Sequence, residues 1–233
     1  MKVAVICCLH GTEPYGLEVV KGLPVSVSYF IGNRKALEEN KRFIDIDLNR
    51  CFPGNEFGDH EERLAYELRK NLRDFDYVID LHSSSNNCPI FGIITNPTKD
   101  KIEFAKCLGL KKLVIMIESI ASGRALIDFV KCGISIEVGP HNRKQNSEEA
   151  SYMINNLLEN KNYSNALEIY EVFKVIKKEK SSILIRNFEN ISKGKVIAED
   201  STGKQLSGEE FVAVLVNEEA YKDILCLAAK RIN

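Results

Sequence analysis

The stretch VAVICCLHGTEPYG, Val3 to Gly16, runs from five apolar residues into a loop that carries a histidine and, three positions later, a glutamate, with glycines on either side. The apolar run reads as a buried strand, and the glycines open it into a turn. A strand that ends in this way sets His10 and Glu13 at the carboxyl edge of a sheet, where open α/β proteins keep their ligands.

The rest of the first half repeats the pattern. KVAVIC, VSVSYFIG, YVIDLH, IFGIIT, LVIMI and ISIEVG are apolar, β-rich segments. Between several of them lie PYGLEVVKGL, EERLAYELRKNLRDF and TKDKIEFAKCLG, which have helical periodicity. Such alternation predicts an α/β fold with a mostly parallel sheet flanked by helices. After one more helical stretch, HNRKQNSEEASYMINNLLENK, the chain changes to short alternating strands separated by Lys/Gly/Ser turns: EIYEVFKVIKK, SSILIRNF, KGKVIAED and FVAVLVN. These predict a small antiparallel β unit. The expected organisation is therefore an α/β domain over residues 1–162 and a small C-terminal β domain over 163–233 that covers the functional site.

Bulk properties narrow the function. The 233 residues carry 32 Lys and Arg against 33 Asp and Glu, with no long basic block, so neither nucleic acid nor an anionic membrane is an expected partner. No apolar run is long enough to span a bilayer, and MKVAVICCLHG has no signal-peptide character, so a cytoplasmic protein starting near Met1 is expected. Seven cysteines are scattered along the chain without a C-x-x-C pair, which disfavours both a disulfide framework and a structural zinc cluster. A small molecule is the expected partner. The oligomeric state is left open, and a homo-oligomer is compatible with the sequence.

Three segments stop in polar residues where a strand should end: HGTE, then DLHSSSNN after YVI, then IEVGPHN after GIS. A parallel sheet brings such ends to one edge, so His10, Glu13, His82 and Glu137 can converge although they are far apart in sequence. Two imidazoles and a carboxylate suit a zinc ion that keeps a position for water, and a further carboxylate can handle protons. Each residue alone has a plainer reading. A histidine at a strand end is usually hydrogen-bonded surface, and Glu13 could simply be a helix N-terminal charge. Glu137 is harder to dismiss, because a carboxylate between Ile136 and Val138 in an apolar strand demands a partner or a purpose. RFIDIDLNR, Arg42 to Arg50, reads either as a solvated strand with a salt bridge or, beside a metal site, as a substrate grip in which Arg50 forks a carboxylate and Asn49 supplies a neutral hydrogen bond. Asp80, two residues before His82, faces the same way on a strand and could support its ring.

Taken in order, HGTE, RFIDIDLNR, DLHSSSNN, GISIEVGP and VLVNEEAY resemble the motifs of the aspartoacylase and succinylglutamate desuccinylase family, in the zinc carboxypeptidase-like superfamily. The likeness runs from the first strand to Tyr221, and IEVGP and VNEEAY look closer to the aspartoacylase branch. The resemblance implies a zinc-carboxypeptidase-like sheet and one Zn²⁺ per chain, held by His10, Glu13 and His82. Glu137 would be the general base that activates water and later protonates the leaving amine. Arg42 would polarise the scissile carbonyl, Asn49 and Arg50 would grip a substrate carboxylate, and Tyr221 would reach the substrate from the C-terminal domain. Asp47 would fix the ring of His10. The implied activity is hydrolysis of the amide of an anionic N-acyl amino acid.

Three features depart from the family pattern. Cys7-Cys8 and HGTE stand where the family often has Gly-Gly and HGNE, and HSSSNN replaces the usual residues after the third ligand. A further arginine expected before IEVGP is not at matching spacing, and Arg124 in SGRALIDF is the nearest substitute. Two alternatives stand beside the deacylase: a carboxypeptidase-like hydrolase of short peptides, and a non-catalytic metal or metabolite sensor on the same scaffold. Binding alone has no need of Glu137.

Overall fold

A computed structural model describes residues 2–116, 123–141, 144–159 and 166–233. The boundary expected between residues 162 and 163 lies outside the described residues, as does the last residue of LVIMI. Thirteen strands occur among the described residues: β1 Val3–Cys7, β2 Ser28–Ile31, β3 Tyr77–Ser84, β4 Phe91–Ile94, β5 Lys112–Ile115, β6 Gly133–Pro140, β7 Glu168–Lys177, β8 Ser182–Ile183, β9 Asn190–Ile191, β10 Val196–Asp200, β11 Gly203–Leu206, β12 Phe211–Val214 and β13 Ile224–Arg231. Ten of them form one open sheet in the order β2-β1-β3-β6-β4-β5-β7-β13-β12-β9. The first half is parallel except where β4 runs against β6. The C-terminal strands are antiparallel, as their alternation indicates, and they continue the first sheet through a parallel pairing of β5 with β7. β11, β10 and β8 make a separate three-stranded sheet.

The segments with helical periodicity form helices where the sequence places them: α1 Gly16–Lys21, α3 His60–Leu72 and α4 Lys99–Cys107, with a last helix at Lys144–Leu158. A short α2, Arg34–Glu38, follows β2 under an Asn33 cap and is not evident in the sequence. β13 is also missed, because DILCLAAKR is a continuous apolar run with neither the alternation of a half-buried strand nor flanking turn signals. No described helix is long and apolar enough to cross a membrane.

RFIDIDLNR is not a strand. It is an irregular loop that ends in a 3₁₀ turn at Leu48–Arg50. Its backbone finds its partner in one side chain of α3: the Glu61 carboxylate accepts from the N–H groups of Ile44 at 2.7 Å, Asp45 at 3.0 Å and Ile46 at 3.3 Å, and from Asn33 Nδ2 at 2.9 Å. Burial favours the neutral acid, but these four donors outweigh it and lower the Glu61 pKa. Pairing with a carboxylate instead of a neighbouring strand lets the segment fold back, so Arg42 and Asp47 face the end of β1.

Glu61→Ala removes the acceptor of three backbone donors at once. It is expected to lower the unfolding free energy by about 3 kcal/mol in urea denaturation. A loss under about 0.5 kcal/mol, the scale of an ordinary surface substitution, would mean that the loop holds itself.

Candidate active site

Register brings the distant residues together. β3 and β6 pair in parallel with His82 directly beside Glu137, and β4 sets Phe91 opposite Glu137. Asp80 and His82 share one face of β3, and the His82 Nε2–H donates to Asp80 Oδ2 at 2.7 Å. β1 pairs Ile6 with Asp80, so the chain beyond Cys7 emerges at the level of His82. Cys8 there adopts φ 54°, the left-handed region that favours glycine. Gly11 lets the loop press against α2, since a Cβ at this position would lie 2.2 Å from the Ala36 carbonyl carbon.

His10 and Glu13 on this loop meet His82 of β3, all three buried, with candidate ligand atoms within 4.8 Å of one another. His10 Nδ1 lies 2.8 Å from Glu13 Oε1, and His82 Nδ1 lies 3.3 Å from Glu13 Oε2. The opposite ring nitrogens are occupied by carboxylates: His10 Nε2 lies 3.0 Å from Asp47 Oδ1, as His82 Nε2 lies near Asp80. With the Nε2–H of His82 donated to Asp80, its Nδ1 lone pair faces Glu13 Oε2, acceptor against acceptor, while His10 Nε2 meets both the Asp47 carboxylate and, at 2.9 Å, the donor Nη2 of Arg42. A cation between them relieves that conflict. Two imidazole nitrogens and a carboxylate oxygen, with outer carboxylates fixing the tautomers, are a donor set that fits a divalent metal such as zinc. The same conflict appears in the proton affinities. Burial would raise the Glu13 pKa, but the two imidazoles hold it well below the ordinary carboxylate value. Burial would lower that of His82, but Asp80 and Glu13 push it well above the usual imidazole value.

Arg42 spans the cluster. Its Nη1 donates to Glu13 Oε1 at 3.2 Å, and its Nε and Nη2 donate to Asp47 Oδ2 at 3.3 and 3.2 Å. Burial opposes charge on Asp47, yet the contacts with His10 and the charges of Arg42 and Arg50 keep its carboxyl far below the ordinary range. Asn49 Oδ1 accepts from the Leu126 N–H at 2.9 Å, which leaves Nδ2 to donate. Arg50 Nη2 donates to the Tyr221 hydroxyl at 3.0 Å across 171 positions of sequence, and Nη1 donates to the Asn49 carbonyl at 2.8 Å. Arg124 is exposed and does not line the cavity.

These side chains border a cavity of about 260 Å³, into which Glu137 also projects. The residue keeps some exposure through the cavity, while its Oε2 is buried without a hydrogen-bond partner. Burial is the main cause that pushes its pKa up to about 8, with Glu13 and Glu218 adding to it against His82 and Arg42.

Glu218 is a second lining carboxyl that sequence reading passed over. It is buried, accepts from the Ser85 N–H at 2.7 Å through Oε2, leaves Oε1 without a partner, and has a pKa raised chiefly by burial. Two acids directly after the apolar FVAVLVN were the available signal. Ser83 and His141, joined Oγ to Nδ1 at 2.6 Å, line the cavity as well. They follow the strand ends that carry His82 and Glu137.

An open mixed sheet with a His-Glu-His cluster at one edge and an unpartnered carboxyl beside it defines a class of α/β proteins whose side chains could hold a divalent metal there. Residues 1–160 match the succinylglutamate desuccinylase/aspartoacylase catalytic domain, and the chain belongs to that family. It is 28% identical over 162 residues to a probable aspartoacylase of Acaryochloris marina, a match covering 60% of this chain and 55% of the relative. It is also 28% identical over 171 residues to the N-acyl-aromatic-L-amino acid amidohydrolase (carboxylate-forming) B of Danio rerio, covering 59% of this chain and 54% of that protein. These matches span little more than half the length of those curated relatives. In fold, the chain is similar to the crystal structure of murine aminoacylase 3, with a TM-score of 0.80 at 19% identity, covering 100% of this chain and 95% of that one.

The raised Glu137 pKa has a consequence for the metal-free protein. Between the ordinary carboxylate value of 4.5 and about 8, the folded state holds a proton that the unfolded state has lost, so stability falls as pH rises through that window. Glu137→Gln keeps the shape and removes the titration. Thermal unfolding of chelator-treated protein across this window should show a flatter decline for the variant, and parallel declines would reject the shifted Glu137.

Proposed function

We propose that the protein is a zinc-dependent deacylase that hydrolyses the amide bond of an N-acyl amino acid, releasing a carboxylate and the free amino acid. The observation that carries this reading is the Glu137 carboxyl, set in register beside His82 with its Oε2 buried and unpartnered. A site that only binds a metal has no use for such a group. His10, Glu13 and His82 would hold the zinc, which supplies a Lewis acid and lowers the pKa of water at neutral pH.

The chain's own residues account for the other steps. Glu137 Oε2 takes the proton of the attacking water and passes it to the amide nitrogen as the carbon–nitrogen bond breaks. Arg42 donates to the carbonyl oxygen while negative charge builds there, held in place by its bonds to Asp47 and Glu13. Arg50 grips the substrate carboxylate. Asn49 Nδ2 and the Tyr221 hydroxyl complete the clamp, since Asn49 Oδ1 and the Tyr221 lone pair are already used by Leu126 and Arg50. Asp47 and Asp80 keep each imidazole in the tautomer that frees Nδ1. All seven cysteines are free, which supports work in the reducing cytoplasm.

Elemental analysis is expected to find one zinc per chain, and a panel of N-acyl amino acids set against dipeptides with free C-termini is expected to show turnover of the acyl compounds. Glu137→Gln should retain its zinc and lose roughly 100- to 10,000-fold in kcat. Arg50→Ala should raise KM by about 10- to 100-fold. Preferred cleavage of the dipeptides would move the assignment to a peptidase, and full activity in Glu137→Gln would end it.

A further inference from the structure

We infer that the amino acid this site accepts carries a neutral, apolar side chain, rather than the second carboxylate of aspartate or glutamate. The inference rests on the deacylase reading and concerns what stands next to the carboxylate clamp. Asn49 and Arg50 are tied to the 3₁₀ turn Leu126–Asp128 by the bond from the Leu126 N–H to Asn49 Oδ1. Leu126 itself packs into the core around Leu48 and Phe52. Its neighbours Ala125 and Ile127 do not join that core. They form an apolar pair of their own, 4% and 2% exposed, and both line the cavity. The side chain and the carboxylate of an amino acid share one α carbon, so a substrate held by Arg50 can lay its side chain against this turn, which lines the same cavity.

The wall continues as apolar surface. Ile93 on β4 pairs with Ser135 of β6, and Met116 follows β5 on the same lining with Leu215. The polar groups among them are already engaged. The Thr95 hydroxyl donates to Asp128, which also accepts from the Ala125 N–H at 3.1 Å and so fixes the turn, and the Ser135 hydroxyl points at Asp80 at 3.4 Å. Among the described residues, Arg42 and Arg50 are the arginines of the cavity, with no lysine beside them. Arg42 is bonded to Asp47 and Glu13 and is assigned to the carbonyl oxygen, which leaves Arg50 for the substrate carboxylate. Glu218 and Glu219 line the same cavity, so a second substrate carboxylate would have acidic neighbours. An apolar side chain there instead excludes water from Ala125, Ile127 and Met116.

The test compares the N-acetyl derivatives of leucine, methionine and phenylalanine with those of aspartate and glutamate, on the zinc-loaded full chain. Two readouts are used: kcat/KM for the wild type, and the thermal shift produced by each compound on Glu137→Gln, which reports binding without turnover. The neutral compounds are expected to lead by at least about tenfold in kcat/KM and to give the larger shifts. Ile127→Arg, which adds a guanidinium beside the clamp, should swing the ratio towards N-acetyl aspartate, and the comparison on the unmodified residue stands even if that variant does not fold. Equal or better binding of the aspartate derivative to the unmodified wall overturns the inference while leaving the deacylase intact. A preference that follows the length of the acyl chain at constant leucine, and not the amino acid, overturns it too. Absent turnover with neutral compounds still bound more tightly would sink the deacylase and keep the apolar subsite.

Discussion

Two imidazoles meet one buried carboxylate, and much of this protein's architecture serves to hold those three side chains together. His10, on the loop after β1, and His82, on β3, are held by Asp47 and Asp80 so that both Nδ1 atoms face Glu13. Further donors hold the carboxylate in turn: the Ser83 N–H reaches Glu13 Oε2 at 3.1 Å, and Arg42 reaches Oε1. Left empty, such a cluster must take up protons. A divalent cation held there would take the place of those protons, and metal binding would then be linked to folding stability.

The geometry is inexpensive to build because most of it is register. Once β3 and β6 pair in parallel with His82 beside Glu137, one member of the donor set and the unpartnered carboxyl sit on adjacent strands, and no loop conformation has to bring those two together. The exceptions are His10, Glu13 and Arg42, which lie on loops and therefore need other supports. Gly11 gives the first loop its close approach to α2, and Glu61 gives the second its backbone partners. A carboxylate inside a helix thus shapes the site without touching it.

Much of this was legible from residue types and spacing. Strand–loop–helix alternation carried the α/β sheet, and polar residues at three strand ends identified the residues that converge. RFIDIDLNR misled, because strict alternation of apolar and charged residues is the signature of a half-buried strand, whereas its N–H groups here are taken by Glu61. Nothing in EERLAYELRK separates that buried glutamate from the solvated charges around it; only the tertiary fold does. β13 and Glu218 were missed for a related reason. Their roles depend on which neighbours the C-terminal strands acquire, and that is decided by the pairing of β7 with β5 far away in sequence.

That pairing also separates the origin of the His10, Glu13 and His82 cluster from that of the Arg50–Tyr221 contact. The donor set and Glu137 depend on β1, β3 and β6, deep in the first half of the sheet, where a change of register would move every side chain to the other face. The clamp combines both halves of the sheet: Tyr221 reaches Arg50 from beyond β12, while the turn at Leu126–Asp128 bonds to Asn49 through the Leu126 N–H. The apolar lining beside Arg50 is likewise drawn from both halves, with Ala125 and Ile127 on the turn and Leu215 after β12, so the composition of that wall is set separately from the residues of the His10, Glu13 and His82 cluster.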